Sequence, residues 1–192
     1  MARGGRSGRF PTISAVTTRV LFVCTGNVCR SPFAELLGRT LFPSTSLELA
    51  SVGLGALVGH PVDRHMAHEL ELRRVPSGGF VARMLDPQLI AHADIVLTMD
   101  DRQREAVIRE SPESVWKVYV IGQFARIVQS LPPGLEGEDL AKALRAAHKP
   151  PEPGDEVADP RNKGPAAAAA SAEALEALLR TSLPYLVRPD AT

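Results

Sequence analysis

The chain has 192 residues, 44% of them hydrophobic, and its 22 basic side chains are balanced by 22 acidic ones. A chain of this length can bury one substantial core, and zero net charge excludes a field that attracts nucleic acid or an acidic membrane surface. Two cysteines are too few for a disulfide scaffold or a structural zinc site. No apolar run approaches the roughly 20 residues of a membrane-spanning helix. We therefore expect a cytosolic protein with neither a nucleic-acid partner nor a membrane insertion.

The N-terminal residues 1–18 carry Arg3, Arg6 and Arg9 among glycine, serine and threonine, with no hydrophobic stretch after these charges. This pattern is typical of a disordered basic tail and not of a signal peptide. A single domain is expected over residues 19–188.

The first predicted strand, residues 20–23, runs into the loop sequence Cys-Thr-Gly-Asn-Val-Cys-Arg-Ser-Pro of residues 24–32. Gly26 and Asn27 tolerate positive φ, and proline is accepted in the first turn of the helix that follows. Cys24 is therefore expected at the carboxyl end of a strand, above the N-terminus of a helix.

That position favours bound anions, because the first N–H groups of a helix have no partner within it and the helix dipole adds positive charge. Arg30 supplies a planar fork for two phosphate oxygens. The same field favours a thiolate at Cys24, and Ser31 can donate a hydrogen bond to its sulfur. A thiolate beneath a phosphate can accept a phosphoryl group. The alternative is a buried cysteine followed by an ordinary helical arginine, which describes most matches to this spacing.

Strands and helices alternate along most of the chain. This alternation predicts an α/β fold with a four-stranded parallel sheet flanked by helices on both faces, and ligands of such sheets bind beyond the carboxyl ends of the strands. The predicted strands after the first are 47–52, 94–99 and 115–121, the last carrying Trp116, and the predicted helices are 31–42, 62–74, 101–110 and one from 165 to about 186.

Residues 131–157 are rich in proline and interrupt this alternation. We interpret them as a surface excursion, with a mobile lid as one option. Asp159-Pro160 follows, and its carboxyl group is a candidate general acid, although Asp-Pro is also a common turn. Asp94, Asp100 and Asp101 are interpreted as strand-end and helix-capping residues.

The sequence of residues 24–32 resembles, without a gap, the signature of the low-molecular-weight protein tyrosine phosphatases. This resemblance implies that Cys24 is the nucleophile, Arg30 the phosphate clamp and Asp159 the general acid. It further implies that phosphate or another oxyanion is held by Thr25, Gly26, Asn27, Val28, Cys29 and Arg30, with Ser31 and Ser51 in support. The implied substrate is a phosphotyrosine-containing protein. No metal or cofactor is expected, because the loop dipoles and Arg30 carry the charge stabilisation.

Residues 51–59, 82–83 and 97–100 resemble the bacterial members that act with tyrosine autokinases of capsule and exopolysaccharide export. The chain also departs from the family pattern. Arg161 and Asn162 stand where the family has an aromatic residue after Asp-Pro, and Phe80 stands nearest to the position of a histidine that braces the loop asparagine. Asn27 is therefore expected to be held by Ser51 alone.

Several interpretations stay open. Val28 occupies the position of a threonine in arginine-specific members, which argues against phosphoarginine as the substrate. Cys29 either packs beneath the loop or forms a reversible disulfide with Cys24. The alternatives to a phosphatase are an arsenate reductase that uses an external thiol and a phosphate-binding regulator with little turnover.

Overall fold

The computed structural model describes residues 17–187, which form an α/β fold around one parallel sheet. The strands are β1 (Thr18–Cys24), β2 (Leu47–Gly53), β3 (Ile95–Thr98) and β4 (Val118–Val120), paired in the order β2-β1-β3-β4. The helices are α1 (Arg30–Leu41), α2 (Arg64–Leu72), α3 (Pro87–His92), α4 (Asp101–Glu110), α5 (Ile121–Gln129), α6 (Gly137–Ala146) and α7 (Pro165–Ser182). The predicted fold class is confirmed.

The apolar strand β1 is buried on both faces, and its side chains divide alternately between two cores. Val20, Phe22 and Cys24 belong to the larger core, which includes residues of α1, α2, α5 and α7. Leu21 and Val23 belong to the smaller core beneath α3 and α4. This division follows from the two-residue period of a strand, and it explains why the sequence of β1 is continuously hydrophobic.

The helix predictions agree with the structure where capping signals are strong. Helix α1 ends at Leu41, just before Pro43, and α4 spans residues 101–110 as predicted, with Asp100 as its N-cap. The leucine stripe of the terminal segment is core, since Leu175 and Leu179 are fully buried.

The prediction of a strand over residues 115–121 is wrong at both ends. Residues 112–117 form a 3-10 helix that begins at a proline, and Trp116 lies in it with 46% of its surface exposed. Only Val118–Val120 pair with β3. Ile121 already begins α5, because the side chain of Gln123 accepts a hydrogen bond from the N–H of Val120 and starts the helix there. Helices α3 and α5 were not predicted.

The predicted surface excursion, residues 131–157, contains a helix that is packed on the core. Helix α6 lies within this segment, and its Leu140 and Leu144 are buried in the larger core. Leu140 lines the same cavity as Thr18, and Leu144 lines a cleft with Ile95. Thr18 and Ile95 begin strands β1 and β3, so α6 lies near the amino ends of the sheet, opposite to Cys24.

The predicted tail falls almost wholly on residues 1–16, which lie outside the described residues. Thr18 was assigned to this tail, but it is 2% exposed and begins β1. Between residues 17 and 187, no helix is long and apolar enough to cross a membrane.

Candidate active site

The loop between β1 and α1 surrounds the sulfur of Cys24, the last residue of the strand. Asn27 adopts φ +52°, which turns the chain back so that its N–H lies 3.3 Å from the Cys24 Sγ. The hydroxyl of Ser31, in the first turn of α1, donates to the same sulfur at 3.0 Å. Two donors and a helix N-terminus therefore converge on Cys24, an arrangement that stabilises negative charge on sulfur.

The side chain of Asn27 holds the loop through three contacts. Its Nδ2 donates to the hydroxyls of Ser31 at 2.9 Å and Ser51 at 3.0 Å, and its Oδ1 accepts from the backbone N–H of Arg83 at 2.8 Å. The expectation that Ser51 alone holds Asn27 is therefore wrong. Asn27 is fully buried, and these partners keep it in the left-handed conformation that the loop requires.

A buried carboxylate extends this network away from the site. The Ser51 hydroxyl donates to Glu35 Oε2 at 2.6 Å, and Glu35 Oε1 pairs with Arg39 at 2.8 Å. Glu35 is 4% exposed, so its charge requires these partners. Glu35 was not among the predicted site residues, although its position one helical turn after Ser31 indicated the same face of α1.

The guanidinium of Arg30 is 3% exposed and is held between two carboxylates. Its Nη1 donates to Asp100 Oδ2 at 3.1 Å and to the carbonyl of Val157 at 3.0 Å, while its Nη2 lies 3.3 Å from Asp159 Oδ2. Its Nε is buried with no hydrogen-bond partner among residues 17–187. A buried donor without a partner is costly, and an oxyanion in the loop would provide one.

Asp100 has a second role beyond the capping that the sequence predicted. Its Oδ1 accepts from the N–H of Gln103 as the cap of α4, and its Oδ2 pairs with Arg30. The signal for this second role was its place just after β3, because the ends of neighbouring parallel strands meet at one edge. Gln103 also reaches the site, where its Nε2 donates to Thr25 Oγ1 at 3.2 Å.

Asp159 reaches the site on a segment anchored at two points. The N–H of Gly122 donates to the carbonyl of Asp155 at 3.0 Å, and the N–H of Val157 donates to the carbonyl of Met99 at 2.9 Å. The carboxylate of Asp159 is 46% exposed. It is therefore open to solvent while it lines the same cleft as Cys24.

The structure brings the predicted residues together around one cleft. Its lining comprises Cys24, Thr25, Gly26, Val28, Cys29, Arg30, Asp159 and Arg161. Ser31, Ser51 and Asn27 stand behind the loop as its supports. Such a cleft offers a sulfur nucleophile, a cationic fork and a carboxyl group within reach of one bound oxyanion. Within the described part of the chain, no cluster of His, Cys, Asp or Glu is suited to hold a metal ion.

Cys29 differs from Cys24 in its surroundings. Burial, followed by the negative charge of Asp63, raises the pKa of the Cys29 thiol to about 12. Cys29 is therefore a protonated thiol at neutral pH and a poor nucleophile. Both cysteines are free in this structure, and a reversible disulfide between them stays a prediction.

Comparison with known proteins supports the same loop and fold. Residues 19–131 match the family model described as low molecular weight phosphotyrosine protein phosphatase. The low molecular weight protein-tyrosine-phosphatase Wzb of Salmonella typhimurium is 39% identical over 106 residues, which are 55% of this chain and 70% of that protein. The tyrosine phosphatase amsI of Erwinia amylovora superposes with a TM-score of 0.70 at 26% identity, over 90% of this chain and 95% of that one. The YwlE arginine phosphatase of Geobacillus stearothermophilus shares the fold, with a TM-score of 0.67 at 24% identity over 85% of this chain and 89% of that one.

Proposed function

The chain belongs to the low molecular weight phosphotyrosine protein phosphatase family, and from this premise we propose that it hydrolyses phosphotyrosine through a phosphocysteine formed at Cys24. As a member of this family, it is a phosphoric monoester hydrolase. The catalytic residues in this proposal are Cys24, Arg30 and Asp159.

The observation that carries the proposal is the pair of donors on the Cys24 sulfur. The Asn27 N–H and the Ser31 hydroxyl both donate to Sγ, and two such donors hold the sulfur at the centre of the loop. A phosphate resting on the loop N–H groups has its phosphorus in front of this sulfur. The sulfur attacks, a sulfur–phosphorus bond forms, and the bond from phosphorus to the tyrosine oxygen breaks.

Arg30 and Asp159 have complementary roles in this reaction: Arg30 binds the phosphate, and Asp159 transfers the protons. In this structure they pair with each other at 3.3 Å. We propose that a bound phosphate takes over the Nη2 of Arg30 and so frees the carboxyl group of Asp159 to serve as the proton donor. Asp159 then gives its proton to the leaving phenolate, a step typically worth 10²–10⁴ in rate. The ionised carboxylate afterwards accepts a proton from the water that breaks the sulfur–phosphorus bond and releases phosphate.

For the physiological substrate, we propose a phosphotyrosine-containing tyrosine autokinase of polysaccharide export. The support is the resemblance of residues 51–59, 82–83 and 97–100 to members that act with such kinases, together with the relationship to Wzb. Val28, where arginine-specific members carry threonine, supports phosphotyrosine over phosphoarginine.

The test uses p-nitrophenyl phosphate and matched variants. Cys24→Ser is expected to abolish hydrolysis, whereas Cys29→Ser, in the same loop, should retain measurable turnover. Asp159→Asn should slow turnover on phenyl phosphate, a poor leaving group, by about 10²-fold or more, while Asp139→Asn on α6 serves as its control. Full activity of Cys24→Ser would refute the mechanism. An unchanged rate for Asp159→Asn would mean that another group is the general acid.

The substrate class is tested with phosphotyrosine, phosphoserine and phosphoarginine versions of one peptide. The proposal predicts the highest kcat/KM for phosphotyrosine. A preference for phosphoarginine would overturn the substrate assignment while leaving the phosphocysteine route intact.

A further inference from the structure

A second guanidinium stands at the mouth of the cleft. Arg161 lines the same cleft as Cys24, and its Nη1 lies 3.9 Å from the point where a Cβ on Gly26 would be. Its side chain is exposed. The cleft therefore has two cationic groups at different depths, with Arg30 buried at the base and Arg161 open to solvent at the rim.

The two arginines differ in how their charge is balanced. Arg30 faces the carboxylates of Asp100 and Asp159. The guanidinium of Arg161, by contrast, makes no ion pair within residues 17–187. Its backbone N–H donates to Asp159 Oδ1 at 3.2 Å. That contact holds the backbone of Arg161 beside Asp159 and leaves its positive charge available to a ligand.

The rim offers a substrate little apolar surface. Among the described residues that line the cleft, none is aromatic, and Val28 is the main hydrocarbon side chain. An aryl ring entering the cleft therefore has no ring to stack on. Recognition beyond the phosphate must then depend on charge at Arg161 more than on contact with the ring.

We propose, on the premise of the function above, that Arg161 determines specificity by binding a carboxylate next to the phosphorylated tyrosine of the substrate. The planar guanidinium matches a carboxylate in a two-point contact. A residue flanking phosphotyrosine stays at the protein surface while the phosphate is in the loop, which is where the Arg161 side chain lies. The preferred substrate is thus a phosphotyrosine in an acidic segment.

The experiment uses two nine-residue phosphotyrosine peptides that differ only in having Glu or Gln on both sides of the phosphotyrosine. At low salt, the wild-type protein is expected to favour the acidic peptide in kcat/KM by about fivefold, the scale of an exposed ion pair. Arg161→Gln should reduce this ratio to about one, and Arg161→Lys should keep part of it. Arg109→Gln, an exposed charge in the last turn of α4, removes the same net charge and should keep the wild-type ratio.

The ratio of the two kcat/KM values distinguishes binding of a substrate carboxylate by Arg161 from binding of the phosphate alone. If Arg161 served only the transferred phosphate, Arg161→Gln would lose activity equally on both peptides and the ratio would not change, which overturns the inference. A wild-type ratio near one overturns it as well.

Binding to the Cys24→Ser protein, measured by fluorescence anisotropy, keeps the inference independent of turnover. The acidic peptide should bind about fivefold more tightly, and the added Arg161→Gln change should remove this difference. If the wild-type protein hydrolyses neither peptide, the proposed function fails, yet an Arg161-dependent binding preference still supports the specificity inference. Equal binding of both peptides refutes it.

Discussion

Gly122 contacts the segment that carries Asp159, the proposed general acid, and substitution of Gly122 by alanine tests how that segment is placed. Gly122 is in the first turn of α5, where its N–H donates to the carbonyl of Asp155. A Cβ at this position would lie 2.6 Å from the Asp155 Cα and would also overlap the carbonyl oxygen and carbon of that residue. These are backbone atoms, so rotation of a side chain cannot relieve the overlap.

The displacement can be worked out from these distances. Ordinary contact begins at 3.4 Å, so the Asp155 backbone must retreat by about 0.8 Å at its Cα and by more at its carbonyl oxygen. Asp159 follows four residues later on the same segment, and a misplacement of about 1 Å near a reacting group can reduce rate by about 10²-fold. Overpacking of this kind destabilises a protein by about 1–3 kcal/mol. Since 1 kcal/mol shifts Tm by about 2–4 °C in a domain of this size, we expect a decrease of about 2–12 °C.

The assay compares kcat on phenyl phosphate with kcat on p-nitrophenyl phosphate, together with Tm from calorimetry. The kcat of Gly122→Ala should fall about 10²-fold on phenyl phosphate and by less on p-nitrophenyl phosphate. The p-nitrophenolate is the better leaving group and depends less on proton donation. Gly53→Ala is the contrasting variant. Its Cβ would lie 2.6 Å from the Thr25 carbonyl oxygen, beneath the phosphate loop. Gly53→Ala should therefore slow the hydrolysis of both substrates by the same factor.

Gly78→Ala is the control, since nothing lies within 4 Å of a Cβ at that position. The reasoning is refuted if Gly122→Ala matches Gly78→Ala in Tm and in both rates. An equal loss on both substrates would refute the link between this segment and proton donation.

Three further predictions follow from the buried polar groups. Ser51→Ala should lower the free energy of unfolding by about 1–3 kcal/mol, since two buried polar partners lose their hydrogen bonds, and should reduce kcat/KM by about tenfold. Iodoacetate at pH 7 should alkylate Cys24 and spare Cys29, whose thiolate fraction is about 10⁻⁵ with a pKa of about 12. Burial lowers the pKa of His148, whose ring lies 6.1 Å from that of Trp116. The fluorescence of this tryptophan should therefore change with a midpoint below about 6.5, and stability should fall as pH drops through that range.

Each of these has its own check. Urea unfolding of Ser51→Ala is compared with that of Ser130→Ala, in which the substituted serine lies at the surface at the end of α5. Equal urea midpoints for the two variants would contradict a stabilising role of the buried hydrogen bonds of Ser51. Peptide mass spectrometry locates the alkylated cysteine, and early labelling of Cys29 would contradict its assignment as a protonated thiol. His148→Gln should remove the fluorescence step, and a step that persists in this variant must come from another group.

The loop of residues 24–32 and its place in the sheet were predictable because their signals are local. A run of apolar residues, glycine and asparagine, and then Ser-Pro each restrict the backbone within a few residues. The alternation of strands with α1, α2, α4 and α7 follows in the same way, and so does the burial of the leucines in α7. The expected roles of Cys24 and Arg30 required no long-range information beyond this strand–loop–helix unit.

The sequence was a poor guide where two distant segments meet. Helix α6 packs at the amino ends of the strands because its leucines complete the larger core there, and the hydrophobic pattern of residues 137–146 does not show where that core lies. The end of β4 was missed for a different reason, because the cap that Gln123 provides to Val120 is a local polar contact that a hydrophobic pattern does not reveal.

The amino-acid sequence by itself determined the fold class, the phosphate loop and the identity of its thiol and guanidinium, because these depend on backbone preferences over a few neighbouring residues. Only the tertiary structure decided what surrounds them. The three partners of Asn27 and the carboxylates that hold Arg30 bring together residues that are far apart along the chain, such as Arg30 and Asp159. The place of Arg161 at the rim of the cleft likewise depends on how distant segments meet. Such contacts depend on how elements pack, and packing is set by the shape and charge of the whole core.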